Sequence, residues 1–254
     1  MQYLLNVKII PQLKDNYSYI VVNKNLNSAI IVDPAESIPI IDFIEQNNLN
    51  IEAILITHHH NDHTSGINDI ITFQKTEVFS PNSNINNTTR VIKEGEIVPS
   101  NFTNFKVLST PGHTLDHVVY YDEQNKILFS GDTLFRFGCG RIFEGDYKQM
   151  YDSLEKIKRL SNNTNVYCGH EYTIHNLNFL NSIFKNCEPL KKIEIKILDQ
   201  IKKFDSSMPF NLGEEKVLNP FLSLESIYFQ DFMKNMQFNS LRMFEYLRDL
   251  RNNY

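Results

Sequence analysis

Thr57-His58-His59-His60-Asn61-Asp62-His63 follows the apolar run Ile54-Leu55-Ile56 and precedes Thr64-Ser65-Gly66. The run reads as a strand, and its end delivers four candidate metal donors within six residues: His58, His60, Asp62 and His63. Imidazole and carboxylate together suit zinc, iron or manganese, and one tetrahedral ion rarely draws four ligands from so short a segment. The spacing therefore points to two ions. On an extended backbone positions 58 and 60 project to one side and His59 to the other.

Three further segments repeat a simpler pattern, an apolar run ending in Gly and a potential ligand. They are Phe105 to Thr110 before Pro111-Gly112-His113, Ile127 to Ser130 before Gly131-Asp132, and Asn165 to Cys168 before Gly169-His170. Glycine lets the chain turn sharply beside a site, and the region beyond strand ends is a usual place for ligands in α/β architectures. The seven donors His58, His60, Asp62, His63, His113, Asp132 and His170 divide three and three once Asp132 is the bridge. One position on each ion is left for a shared water. Of the eight histidines, His59, His117 and His175 stay outside this set.

At 254 residues the chain can bury a substantial core, as one large domain or a main domain with an appendage. A net charge of −5 without a long Lys/Arg run argues against a nucleic-acid groove. Met1 to Ile10 lacks the cationic start of a signal peptide and reads as a first strand. No stretch approaches the ~20 apolar residues of a membrane span, so a soluble, cytoplasmic protein is expected. Cys139, Cys168 and Cys187 lack the spacing of a disulfide framework, which suits a reduced compartment. Cys168 reads as a buried strand residue.

The first 172 or so residues alternate strand-like and helical runs, an α/β pattern. Expected strands include Leu4–Ile10, Tyr17–Val22, Ala29–Val32 and Ala53–Thr57, with a first helix at Ile38–Gln46 and a loop at Pro81–Asn87. After Tyr172 helical patterns dominate: Asn176–Phe184, Leu190–Phe204, Ser226–Met236 and Ser240–Leu250. This shift divides the chain into residues 1–172, carrying the metal donors, and a helical region, 173–254. In the last helix Leu241, Phe244, Leu247 and Leu250 make an apolar stripe, and Arg248 and Arg251 lie three apart. That pair either holds a carboxylate or complements the helix dipole.

Thr-His-X-His-X-Asp-His with separate His, Asp and His resembles the metallo-β-lactamase superfamily. The segments Asp15-Asn16-Tyr17, Val32-Asp33-Pro34, Gly131-Asp132-Thr133-Leu134-Phe135, Gly138-Cys139-Gly140-Arg141, Gly169-His170-Glu171-Tyr172 and Asn219-Pro220-Phe221-Leu222 resemble its glyoxalase II, or hydroxyacylglutathione hydrolase, branch. The resemblance implies a four-layer αββα sandwich with a C-terminal helical substrate-binding domain, a monomer, and hydrolysis of S-(2-hydroxyacyl)glutathione such as S-D-lactoylglutathione. It places Arg141, Phe143 and Tyr172 at the glutathione site, and Arg248 and Arg251 on the glycine carboxylate. Phe143 stands where some members carry Tyr, which reduces its part to packing. Arg136-Phe137 and Ser223 also depart from the family pattern.

Two divalent ions, zinc before iron or manganese, would acidify the shared water toward a pKa of about 7 for attack on the thioester. His58, His60 and His113 would take one ion, and Asp62, His63 and His170 the other. Asp62 and Asp132 are the catalytic carboxylates of this scheme, with Asp62 orienting the nucleophile. Two other readings use the same fold: a mononuclear iron dioxygenase acting on glutathione persulfide through His58, His113 and Asp132, and a non-catalytic metal-binding module.

Overall fold

The apolar runs of the first half become strands, most of them slightly longer than their hydrophobic centres. The computed structural model describes residues 5–185, 187–230, 232 and 236–254. They fall into two units, Met1–Ser109 with Asp116–Gly131, and Thr110–Leu115 with Asp132–Tyr254.

In the first unit, β1 (Asn6–Gln12), β2 (Asn16–Asn23) and β3 (Ser28–Val32) form an antiparallel meander. Helix α1 (Ile38–Gln46) then crosses over to β4 (Asn50–Leu55), parallel to β3. Pro39, in the first turn of α1, has the φ a helix start needs and lacks only an N–H that would be unpaired there. The short α2 (Asn61–Thr64) and α3 (Ile67–Phe73) lead to β5 (Glu77–Ser80) and β6 (Arg90–Val91), which extend the parallel part. A second, antiparallel sheet runs β7 (Ile97–Pro99), β8 (Asn104–Ser109), β9 (Val118–Asp122) and β10 (Ile127–Gly131).

Every residue of β2, β3, β9 and β10 is buried, as strands covered on both faces require. On one side of the first sheet Ile40 and Ile44 of α1 and Ile67 and Ile70 of α3 pack with Ile20, Ile31 and Ile54. Each such side chain contributes about 1.5–3 kcal/mol relative to exposure. Between the sheets, Tyr19 and Phe105 meet Phe129 at centroid distances of 5.4 and 5.7 Å, and the Tyr120 hydroxyl donates to the Ile56 carbonyl at 2.7 Å. Strand β4 ends at Leu55, two residues short of expectation, because Thr57 turns its N–H to a side chain, Asp33.

The second unit holds the hairpin β11 (Leu134–Phe135) and β12 (Gly138–Cys139), α4 (Tyr147–Lys158), β13 (Asn165–Cys168), α5 (Thr173–Ile183), α6 (Glu188–Phe204), β14 (Phe210–Asn211), α7 (Leu212–Leu218) and α8 (Ser240–Asn252). A capping box between Asp146 and Gln149 starts α4. Of the helix expected at Ser226–Met236, residues 226–229 form bends and turns and 230, 232 and 236 are helical, while 231 and 233–235 lie outside the described residues, as does Leu4 of the first expected strand. On α8 the buried residues are Met243, Phe244, Leu247 and Arg248; Leu241 and Leu250 are only half-buried. The core face is thus rotated from the leucine stripe, and Arg248 lies on it.

Candidate metal centre

One carboxylate organises the donors of the first unit. Asp33 has the left-handed φ of +49°, a conformation that aspartate tolerates better than most residues. Its Oδ1 accepts the Thr57 N–H at 2.8 Å, and its Oδ2 accepts the Thr57 hydroxyl at 2.7 Å and His63 Nδ1 at 3.0 Å. With its proton committed to Asp33, Thr57 Oγ1 accepts from His58 Nδ1, 3.0 Å away. Both histidines are therefore tautomers with the lone pair on Nε2.

His58 Nε2 meets His60 Nδ1 at 3.1 Å, so the pair takes a proton or a cation between its nitrogens. Asp62 Oδ2 lies 3.8 Å from His63 Nε2 and accepts from Asn16 Nδ2 at 3.0 Å. Gly131 permits this packing: at φ +47° a Cβ there would stand 2.6 Å from Thr57 Oγ1 and 2.8 Å from His117 Nε2. His59 turns elsewhere, to Asp116 at 3.0 Å, and lines a polar groove with Asn61 and Asn82. His117 is buried and stacks on His58.

In the second unit His113 Nε2 and His170 Nε2 lie 3.4 and 3.3 Å from the same atom, Asp132 Oδ2. Asp132 Oδ2 is thus the atom on which both imidazoles converge. His113 Nδ1 donates to the Arg141 carbonyl at 2.8 Å, which again leaves the lone pair on Nε2. His170 stacks on Tyr172 at 4.8 Å, with Phe135 edge-on to both. The donors of both units suit divalent ions: imidazoles, of which His58, His63 and His113 have the remote nitrogen tied down, and carboxylates, mostly buried. Cys168 is buried, and burial pushes its thiol well above the usual range, which leaves it inert.

The β11–β12 hairpin braces this half of the donor set. Its Gly140 N–H donates to the Thr133 carbonyl at 3.1 Å, and a Cβ on Gly140 would collide with the Asp132 carbonyl. Side chains from the helices grip its backbone. Asn219 Nδ2 donates to Gly138 O at 3.1 Å, Asn176 Nδ2 to Arg136 O at 3.0 Å and Arg248 Nη1 to Cys139 O at 2.8 Å, while Glu215 Oε2 accepts the Phe137 N–H at 2.8 Å. Sequence reading singled out neither Asn176 nor Glu215.

Of the expected substrate residues, Arg141 is exposed, with its guanidinium 5.9 Å over the Phe143 ring. Phe143 is 59% exposed and stands edge-on to His113. Arg248 is buried against Phe221, whereas Arg251 is half-buried and bonds Asn176 Oδ1. Arg136 is buried and donates to Ser207 O at 2.8 Å and Gln200 Oε1 at 3.2 Å. Ser223 is buried, its N–H on the Asn219 carbonyl.

Residues 13–170 match the family model described as metallo-beta-lactamase superfamily, and residues 171–254 that described as hydroxyacylglutathione hydrolase C-terminus. A hydroxyacylglutathione hydrolase of Pectobacterium atrosepticum is 43% identical over 225 residues, 88% of each chain. The chain belongs to the hydroxyacylglutathione hydrolase family. Another relative of that name, from Bdellovibrio bacteriovorus, is 36% identical over 258 residues, 97% of each chain. Among solved structures, ETHE1 from Myxococcus xanthus aligns with a TM-score of 0.67 at 22% identity, covering 94% of this chain and 95% of that one, a likeness of fold. The hydroxyacylglutathione hydrolase assignment agrees with the metallo-β-lactamase fold and C-terminal helical region expected from sequence. It also agrees with a His/Asp donor set for divalent metal. Among the described residues no helix is long and apolar enough to cross a membrane.

Proposed function

We propose that the protein hydrolyses S-(2-hydroxyacyl)glutathione thioesters, S-D-lactoylglutathione foremost, to glutathione and the 2-hydroxy acid, the second step of methylglyoxal detoxification. The match of residues 171–254 to the hydroxyacylglutathione hydrolase C-terminus carries this reading, because the histidine motif alone is common to the whole superfamily. In this scheme His58, His60 and His113 would hold one divalent ion and Asp62, His63 and His170 a second, with Asp132 serving both and zinc first among the candidates. When bound, they supply Lewis acidity and a water of lowered pKa.

The chain's own residues do the rest. Asp33 and Thr57 fix the tautomers of His58 and His63, and the Arg141 carbonyl fixes that of His113. Asn16 orients Asp62, which aligns the attacking water. The leaving thiolate, with a free-thiol pKa near ~8.5, departs without a general acid. Arg141, Tyr172, Arg248 and Arg251 bind the glutathione moiety, and Phe143 packs against it. The enzyme acts as a cytoplasmic monomer.

Steady-state hydrolysis of S-D-lactoylglutathione, with metals quantified and a non-glutathione thioester for comparison, tests the proposal. Fast turnover of the glutathione substrate alone at about two metals per chain is expected. No turnover at full occupancy rejects the substrate, and oxygen consumption with one iron per chain would replace it with the persulfide dioxygenase reading.

A further inference from the structure

Three guanidinium groups, Arg141, Arg248 and Arg251, belong to the second unit, and among the described residues none of them pairs with a carboxylate. Their partners are neutral: Arg248 Nη1 donates to the Cys139 carbonyl at 2.8 Å, and Arg251 Nε and Nη2 donate to Asn176 Oδ1 at 3.3 and 3.2 Å. Arg248 Nε is buried without a hydrogen-bond partner. Burial, then the neighbouring charges of Arg248 and Arg141, push the Arg251 pKa down to about 10, as expected of cations gathered without a counter-ion.

Asn176 is 4% exposed and uses both ends of its amide. Its Oδ1 holds Arg251, while its Nδ2 holds the Arg136 carbonyl in the turn of the β11–β12 hairpin. We propose that Asn176 is a positioning residue for carboxylate binding, which holds Arg251 ready on a neutral acceptor that an incoming carboxylate displaces and at the same time ties α5 to the hairpin. The inference rests on the glutathione reading, which supplies that carboxylate.

The amide is what makes the exchange work. The guanidinium is charged in either bond, but only a carboxylate adds the opposite charge and two acceptor oxygens for a bidentate fit, so a carboxylate takes Arg251 from Asn176. An aspartate at 176 would keep the guanidinium for itself, and would also face the Arg136 carbonyl with no proton to give.

Calorimetric binding of S-methylglutathione and of its glycine ethyl ester tests this without requiring turnover. Asn176→Asp is expected to weaken S-methylglutathione roughly tenfold and to leave the ester within about twofold. Asn176→Ala, which frees Arg251 without adding charge, should cost about threefold on the acid alone. Melting curves establish that each variant is folded, and general distortion would weaken both ligands alike. Equal losses on acid and ester, no loss on either, or wild-type protein binding the ester as tightly as the acid would overturn the proposal. Wild-type protein that binds neither compound rejects the glutathione reading, and this inference with it.

Discussion

Asp33 meets neither ion nor substrate in the scheme above, yet it settles the direction in which two imidazoles offer their lone pairs. Thr57 is the intermediate: its hydroxyl gives a proton to Asp33 and takes one from His58. Thr57→Val keeps the volume and removes both bonds, so metal affinity should fall by about 10–100-fold, the usual cost of losing an outer partner of a ligand. Titration against a competing chelator measures this, and an affinity within twofold of wild type would show that His58 needs no such partner. Asp132→Asn is more severe, since the amide turns one carboxylate oxygen facing His113 and His170 into a donor. Loss of metal and of nearly all turnover is expected, and a variant retaining two ions and normal kcat would refute the bridging assignment. The donor residues were legible in sequence because each follows an apolar run, often with a glycine between. The tautomers were not, because they depend on the Arg141 carbonyl and the Thr57 hydroxyl, whose directions no spacing encodes.

Elements with a long period were legible and short ones were not. Helix α1 begins and ends where its pattern predicts, and α6 begins only two residues early. The hairpin β11–β12 went unread, because strands of two residues have no periodicity to detect, although its Gly-Cys-Gly-Arg segment supported the family resemblance. The burial of Arg248 was hidden for a related reason: leucines marked the stripe of α8, but packing chose Met243 and Arg248. The hairpin's own support is a buried acid. Burial pushes Glu215 up to about 8 against an ordinary 4.5, although it accepts bonds from the Phe137 N–H and Asn219 Nδ2. Between those values the folded state keeps a proton that the unfolded state has released, so stability falls as pH rises from about 5 to 8. At about 1.4 kcal/mol per pKa unit, the contribution is on the order of a few kcal/mol. Glu215→Gln retains an acceptor and cannot ionise. Urea unfolding at pH 5 and pH 8 should give a smaller pH-dependent loss for the variant than for wild type, and equal losses in the two proteins would mean that Glu215 ionises normally in the fold.

For the whole molecule, charge poses a conflict that the sequence total hides. The chain carries −5, and a glutathione thioester, with two carboxylates and one ammonium, is also an anion, so overall charge opposes association. Arg141, Arg248 and Arg251 oppose that trend, and none of them is neutralised by a carboxylate among the described residues. Which effect governs substrate binding is decided by range. Surface charge spread over the molecule is screened beyond about 10 Å at 0.1 M salt, while partly buried cations in contact with a bound carboxylate are screened much less. At low ionic strength both act, and the contact term is the stronger because charge attraction falls with distance. KM for S-D-lactoylglutathione should therefore rise by about two- to threefold between 10 and 300 mM salt, with kcat unchanged because these cations are remote from the reacting carbonyl. The glycine ester should show a flatter response. A KM that falls with salt would mean that the net charge dominates and that the arginines contribute little to binding, while a kcat that falls with salt would place charge in the chemical step.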